Sequence, residues 1–525
     1  MYSLSMTYLV ACVIPFILFS ASRLVFHPLR KYPGPLLARL TDAYAGYFAI
    51  KKCLHLTTYH NFQKYGPVIR QAPNRLVFNT LTALHDIYLN PRLTKGDAYR
   101  SSQLRAKYPS TINAIDRDQH RRKRKFIGQA LTERSMRSFE PVMSEQINIF
   151  LKLLLQSSQK ENAVNMSRQC QRLGVDIIGL LSFGHQFRTQ TEDTSRFIPQ
   201  VIDAMSWRIN TYMHSPLLAY LENLLAILGK RQVIRFGNAV GDIIKARMAQ
   251  EKDAHHDLYS IVADYIGKGQ DGLYRGELWP EAILFIMAGG TTTATTMSAM
   301  FFYLSHNPVA YATLAAEIRS TFKSADDIHA GAALSRCQYL RACIDETLRM
   351  SPPSLAILWR QQEASDHEPF IVDGQIIPPG TQVGVSLYSL FHSEQYFPDS
   401  FTFKPERWLG SPTNSDGSAP GNEKASAATR KAFVPFSLGD RACAGKSMAY
   451  LEASLTLARV FWFFDFELAP NEAGDSSSRA EERSRDYGRD RPNEFQLDDI
   501  FVAGHDGPDL IFRTRDDYWK TLETD

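Results

Sequence analysis

The chain lacks any Cys-x-x-Cys pair, and its six cysteines (Cys12, Cys53, Cys170, Cys337, Cys343 and Cys443) follow no regular spacing. A disulfide framework and a finger-type zinc site are thereby excluded, and free thiols suit a reducing compartment. Two adjacent histidines, His255 and His256, lack the i, i+4 spacing of a metal pair. There is no Gly-x-x-x-x-Gly-Lys-Ser/Thr loop, and no Gly-x-Gly-x-x-Gly in the strand–turn–helix setting that binds dinucleotides. No flavin or nicotinamide domain is therefore expected, and any electrons must come from a separate protein. A net charge of +4 is too small to argue for nucleic acid. Internal repeats and a second-domain linker are also missing.

Charge is absent from Leu4 to Ser22, where Val, Ile, Leu and Phe dominate. Such a run is long enough to span a bilayer, and Pro15 is tolerated there. Arg23, Arg30, Lys31 and Arg39 follow it with no basic residue before, which places that flank in the cytosol. The run is longer than the core of a cleaved signal peptide. The expected plan is a transmembrane anchor over 1–22, a basic proline-rich hinge over 23–45 and one catalytic domain over 46–525. The prolines of His27–Pro35 predict a stiff, extended spacer.

Most of the remaining chain carries helical spacing, in Glu140–Leu155, Cys170–Leu181, Leu258–Ile266 and Glu281–Leu304. Strands are expected at Val68–Arg75 and Leu76–Asn79, and a hairpin and turn within Phe370–Gly384. The polar stretches Gly410–Arg430 and Asn471–Asn493 read as solvated loops.

What is present is concentrated around Cys443. It lies in Phe436-Ser437-Leu438-Gly439-Asp440-Arg441-Ala442-Cys443-Ala444-Gly445. Glycines let the backbone close around a sulfur, and a neighbouring cation favours its thiolate. Arg441 suits a cofactor carboxylate equally well. The five fixed positions of Phe-x-x-Gly-x-Arg-x-Cys-x-Gly arise by chance in a chain of this length with odds on the order of one in ten thousand. The loop resembles the haem-binding loop of the cytochrome P-450 family, in which one cysteine thiolate holds the iron.

Other segments extend that resemblance. Ala288-Gly289-Gly290-Thr291-Thr292-Thr293 is similar to the family's helix over the haem. The resemblance implies that Gly289 makes room for a small ligand and that Thr292 helps deliver protons. Thr291 stands where the family has an acid, so the usual titratable partner is missing. Glu346 and Arg349 are i, i+3 on a helix and can pair. With Arg407 of Pro405-Glu406-Arg407-Trp408 they resemble the family's buried Glu-Arg-Arg triad, under the cysteine loop. In His120-Arg121-Arg122-Lys123-Arg124-Lys125, the i, i+4 pair His120 and Arg124 matches the family's haem-propionate contacts. Arg121, Arg122 and Lys125 would then rim a docking face for an acidic reductase. Arg360 matches a further propionate-binding arginine.

The resemblance implies a mainly α fold with a small β region, haem b bound to Cys443, and Phe436, Gly439 and Arg441 in the cofactor loop. It implies a fungal-type biosynthetic monooxygenase on the endoplasmic reticulum membrane, single-pass with its catalytic domain in the cytosol, partnered by an NADPH-dependent reductase. By family position the substrate walls are Ala98–Thr111, Val201–Leu218, Phe285–Gly290, Ser354–Leu358 and Phe501–Gly504. Their apolar character predicts a lipophilic small molecule such as a terpenoid or polyketide intermediate. The missing acid at position 291 keeps open an O2-independent isomerase or dehydratase, and a non-catalytic haem protein is the third alternative.

Overall fold

Helices dominate the computed structural model, which describes residues 22–103, 107–220, 230–255, 257–267, 272–409, 423–470, 489 and 491–524. Seven helices carry the site: α1 Arg117–Ala130, α2 Glu133–Gln159, α3 Met166–Phe183, α4 Ile198–His214, α5 Leu278–His306, α6 Gln338–Met350 and α7 Lys446–Phe463. Side-chain caps fix the starts of two of them. Asp116 accepts from the Gln119 amide ahead of α1, and Asn165 from the Arg168 amide ahead of α3. Left-handed Gly184 ends α3.

Helices α2, α3, α5, α6 and α7 bury one large apolar core that includes Ile147, Leu173, Met297, Phe301, Leu348 and Phe461. A second core lies under a five-stranded sheet and holds Phe78, Leu84, Val385 and Phe391. The strands are β1 Val68–Ala72, β2 Arg75–Phe78, β3 Leu93–Lys95, β4 Val164–Asn165, β5 Arg360–Gln362, β6 Phe370–Val372, β7 Gln375–Ile377, β8 Gln382–Val385, β9 Phe464–Leu468, β10 Asp498–Ile500, β11 Val502–Gly504 and β12 Asp509–Thr514. The larger sheet has the order β1-β2-β8-β5-β3, with only β2 and β8 parallel. A three-stranded sheet runs β4-β12-β9, and β6–β7 and β10–β11 are hairpins.

Several expectations change. Leu29 and Tyr32 of the hinge are buried in the second core, and the Arg70 amide donates to the Pro33 carbonyl at 2.7 Å. The prolines therefore produce a packed strap, because two apolar side chains between them find a core to enter. Part of the expected loop Gly410–Arg430 is helical from Glu423 to Ala432, where Thr429 donates to the Tyr396 carbonyl at 2.7 Å. The stretch Gly267–Gly272 has dinucleotide-type glycine spacing, but a helical turn at Ala263–Tyr265 precedes it where that motif requires a strand.

The apolar run over 1–22 falls, apart from Ser22, outside the described residues. Among the described residues the one helix apolar and long enough to cross a bilayer is Arg275–His306, and it is mostly buried. That segment contains α5, the central core helix.

Candidate active site

The cysteine loop is shaped by two left-handed residues, Ser437 (φ 60°) and Gly439 (φ 70°). Gly439 is required twice over: its backbone sits in the region glycine tolerates, and a Cβ there would strike the Tyr88 carbonyl oxygen. The Cys443 amide donates to the Phe436 carbonyl at 2.8 Å, which closes the loop. Phe436 packs on Tyr450 of α7, ring centroids 5.2 Å apart, and so docks the loop on the helix it leads into.

Cys443 is exposed, whereas Cys53, Cys170, Cys337 and Cys343 are buried. Protein crowds its thiol nonetheless, and burial pushes its pKa up against the opposing pull of the Gly445 amide and Arg124. A free thiol here stays protonated, and a bound metal would be needed to hold it as thiolate. The start of α7 at Lys446, three residues on, adds a favourable helix dipole.

Cations gather beside the loop without ion-paired carboxylates, with only Asp440 and Glu281 acting on them from farther off. Lys95 stands directly opposite Arg360 in the β3–β5 register, and both are buried. Like charges facing each other across a strand pair are unfavourable unless something neutralises them. Arg124 and Arg441 complete the group, and none of the four forms an ion pair among the described residues. Lys95 instead donates to the Thr111 and Ile112 carbonyls at 2.7 and 2.6 Å, and Arg441 to the Ala114 carbonyl at 3.2 Å. Burial, then Arg441 and Arg360, hold the Lys95 ammonium well below its ordinary range. Burial and Arg360 bring Arg441 down to about 10. Buried His120 is driven to about 2 by burial, then Lys95 and Arg441, so it is neutral. This excess of positive charge around an accessible thiol fits a cofactor with one thiolate-seeking metal and two carboxylates.

Helix α5 supplies a wall whose exposure is uneven. Ala288 is exposed and Thr292 is accessible, although neighbouring Met287, Gly290, Thr291 and Thr293 are buried. Residues 288 and 292 are i, i+4 and share one face. The Thr292 hydroxyl donates to the Ala288 carbonyl at 2.7 Å, leaving its lone pairs to accept. Thr291 is turned inward and donates to the Met287 carbonyl at 2.7 Å. An acid at that position would be buried, whereas a threonine satisfies its own hydroxyl.

Of the two glycines, Gly290 is buried and Gly289 is partly exposed. A Cβ at Gly289 would lie 2.6 Å from Ile178 of α3, and one at Gly290 3.2 Å from Val175. Across the contact, a Cβ at Gly174 would collide with the Gly290 carbonyl. They serve close helix packing, and α5 runs as continuous α-helix with no local bulge.

The Glu346 network forms as expected. Arg349 grips Glu346 in a bidentate pair at 2.8 and 2.9 Å, both side chains fully buried. Arg407 Nε approaches both carboxylate oxygens at 3.3 Å, and Trp408 Nε1 donates at 2.9 Å. The Trp408 ring meets Phe433 at 4.3 Å between centroids, linking the network to the segment that enters the cysteine loop.

In the basic run, Arg121 and Lys125 are exposed, but Arg122 is turned inward onto Glu277 at 2.7 Å. It is therefore not part of an exposed rim. Fully buried Lys123 bonds Glu281 at 3.0 Å and the Pro109 carbonyl at 2.6 Å. Glu281 also accepts from the Thr111 amide at 2.8 Å, tying the segment before α1 to α5. Lys95, Lys123 and Glu281 were not singled out from sequence. Four of the five expected wall segments meet in one apolar cluster, through Ala98, Tyr99, Met213, Ile357 and Phe501, and Phe285–Gly290 contributes nothing to it.

The family model "Cytochrome P-450" matches residues 44–482. The chain belongs to the cytochrome P-450 family. Among curated relatives, the cytochrome P-450 monooxygenase poxM of Penicillium oxalicum is 36% identical over 464 residues, covering 86% of each chain. The cytochrome P-450 monooxygenase AKT7 of Alternaria alternata is 33% identical with 94% of each covered. The monooxygenase atnE of Emericella nidulans is 32% identical over 96% of this chain and 95% of its own. This cytochrome P-450 is an oxidoreductase of the monooxygenase class, and the family implies a haem-thiolate cofactor.

Proposed function

We propose that this cytochrome P-450 inserts one oxygen atom from O2 into a lipophilic biosynthetic intermediate, using haem b and electrons passed from NADPH by a separate reductase. Support comes above all from one conjunction: an accessible, protein-crowded thiol beside four cations without carboxylate partners. Haem bound there would supply oxygen activation, with the thiolate raising electron density at iron. Cys443 Sγ would hold the iron in this reading. Arg124, Arg360, Arg441 and Lys95 would hold the two carboxylates, and neutral His120 would donate a single N–H. Phe436 and Gly439 keep the loop in register.

The exposed Ala288–Thr292 face forms the wall over the reacting position. Thr292 accepts a hydrogen bond there and steadies a proton-bearing water, a task that Thr291 cannot share from its buried site. Apolar Ile357 and Phe501 orient the substrate and exclude bulk water. The 1–22 anchor and an endoplasmic reticulum location, with the domain in the cytosol, complete the proposal.

The decisive experiment is a carbon monoxide difference spectrum of the reduced protein, followed by assay with NADPH, reductase and O2. The expected result is product formed only when all three are present. Turnover without NADPH and O2 would replace this reading with the isomerase one, which the buried Thr291 favours. Thr292→Ala should release peroxide and lower product per NADPH about tenfold or more, measured by oxygen-electrode stoichiometry.

A further inference from the structure

The apolar cluster of Met213, Ile357 and Phe501 has a polar corner outside the cofactor cluster. Its centre is Arg75 of β2, two residues from Val77 and so on the same strand face, and Val77 belongs to that apolar cluster. Arg75 is buried, forms no ion pair among the described residues, and leaves Nη1 without a hydrogen-bond partner. Its guanidinium stands 5.3 Å from the centre of the Trp359 ring, and Asp42 acts on it only from farther off. Trp359 is fully buried, its carbonyl accepts from the Gly96 amide at 3.0 Å, and its Nε1 has no partner. From the end of α4, the His214 ring lies 6.1 Å from the Trp359 ring, and its Nδ1 is also unpartnered. Burial, then Arg75, hold His214 down to about 3, so it is neutral.

Strand β2, the end of α4 and the segment entering β5 thus bring three unpartnered nitrogens to one place. Water can satisfy the neutral groups but cannot balance the buried charge. One guanidinium beside a neutral imidazole and an indole gives a single positive charge, which matches a monoanionic carboxylate better than a doubly charged phosphate. In a chamber that is otherwise apolar, one such corner fixes which end of a long molecule enters first.

We propose that Arg75, Trp359 Nε1 and His214 Nδ1 hold the carboxylate of a lipophilic monocarboxylic acid, whose chain lies along Met213, Ile357 and Phe501. That acid is the substrate of the monooxygenase proposed above, and the anchor rests on that reading.

The test uses the full-length, haem-loaded ferric protein in neutral detergent, titrated with dodecanoate, 1-dodecanol or dodecyl phosphate, with partition into protein-free detergent subtracted. Calorimetry reads affinity, and the Soret band reads arrival beside the haem. Dodecanoate should bind about thirtyfold tighter than 1-dodecanol and shift the Soret band. Dodecyl phosphate should bind more weakly than dodecanoate. Arg75→Met should lower dodecanoate affinity about thirtyfold and leave 1-dodecanol within about twofold, and Trp359→Phe should lower dodecanoate about threefold. A carbon monoxide band certifies each variant's fold, and the acid–alcohol contrast in the unaltered protein decides if a variant fails to fold. Equal affinity for acid and alcohol beside a normal carbon monoxide band overturns the anchor and leaves the monooxygenase reading standing. Absence of that band from the unaltered protein overturns both. Tight acid binding that leaves the Soret band unmoved, or that survives Arg75→Met, also overturns the anchor, as does tighter binding of dodecyl phosphate.

Discussion

Two arginine-rich places in this cytochrome P-450 are built on opposite principles. Around Glu346, two guanidiniums and an indole N–H close on one carboxylate, with Glu346 and Arg349 fully buried and Arg407 and Trp408 partly so. Around Cys443, four cations and a neutral histidine gather, and among the described residues none of the four is ion-paired to a carboxylate, although Glu281 acts on Lys95 and Asp440 on Arg441 from farther off. The first place supplies its own carboxylate, with only Arg407 Nη2 left without a hydrogen-bond partner, and holds geometry. The second is electrostatically unfinished, and its cost is offset only by an anion from outside the chain. Similar residue types thus serve architecture in one place and cofactor capture in the other.

The comparison breaks most visibly at the sulfur. Cys443→Ser should abolish the carbon monoxide difference band and all turnover, as read by absorbance and product assay. Next in size, Glu346→Ala leaves the buried Arg349 charge, and the partly exposed Arg407, without a carboxylate, and should cost about 3–5 kcal/mol in denaturant unfolding. The unfinished cluster should behave in the reverse sense. Lys95→Met relieves one of four repelling charges but leaves the Thr111 and Ile112 carbonyls without its hydrogen bonds, so the haem-free chain should change little in stability. Haem retention should nevertheless fall about tenfold, measured by haem transfer to an acceptor globin, since one charge-assisted contact is worth about 1.5–3 kcal/mol.

A pH-dependent effect tests isolated burial. Glu452 of α7 is buried, one carboxyl oxygen lacks a partner, and burial raises its pKa to about 8. The folded state therefore binds a proton that the unfolded state releases near 4.5. Stability from this group is full below about 4.5 and falls as pH rises to about 8, by about 1.4 kcal/mol per unit of separation as an upper bound. Glu452→Gln should remove that decline and raise Tm at pH 8 while leaving Tm at pH 4.5 nearly unchanged, as thermal scans at both values would record.

Cys443, Glu346, Arg349 and Arg407 were legible because short fixed spacings carry them. His120 and Arg124 were legible through one helical turn. Lys95 was not, because its place depends on strand register with Arg360, far away in sequence. The buried lock of Lys123 on Glu281 was hidden inside a run of basic residues that looks like a solvated face. The glycines of α5 misled for a simpler reason. One residue along a helix is a turn of about 100°, so Gly289 meets Ile178 while Ala288 takes the accessible face. The hinge was misjudged because proline content reports stiffness but not the core that Leu29 and Tyr32 enter.

The crossing of Gly174 and Gly290 has a consequence for how this enzyme could diversify. With two backbones in contact, any side chain at either position would act as a shim, push α5 away from α3 and shift Thr292. If the proposed function holds, the Ala288–Thr292 wall is thus harder to vary than the side chains of Met213, Ile357 and Phe501, and a change of substrate would be met there first.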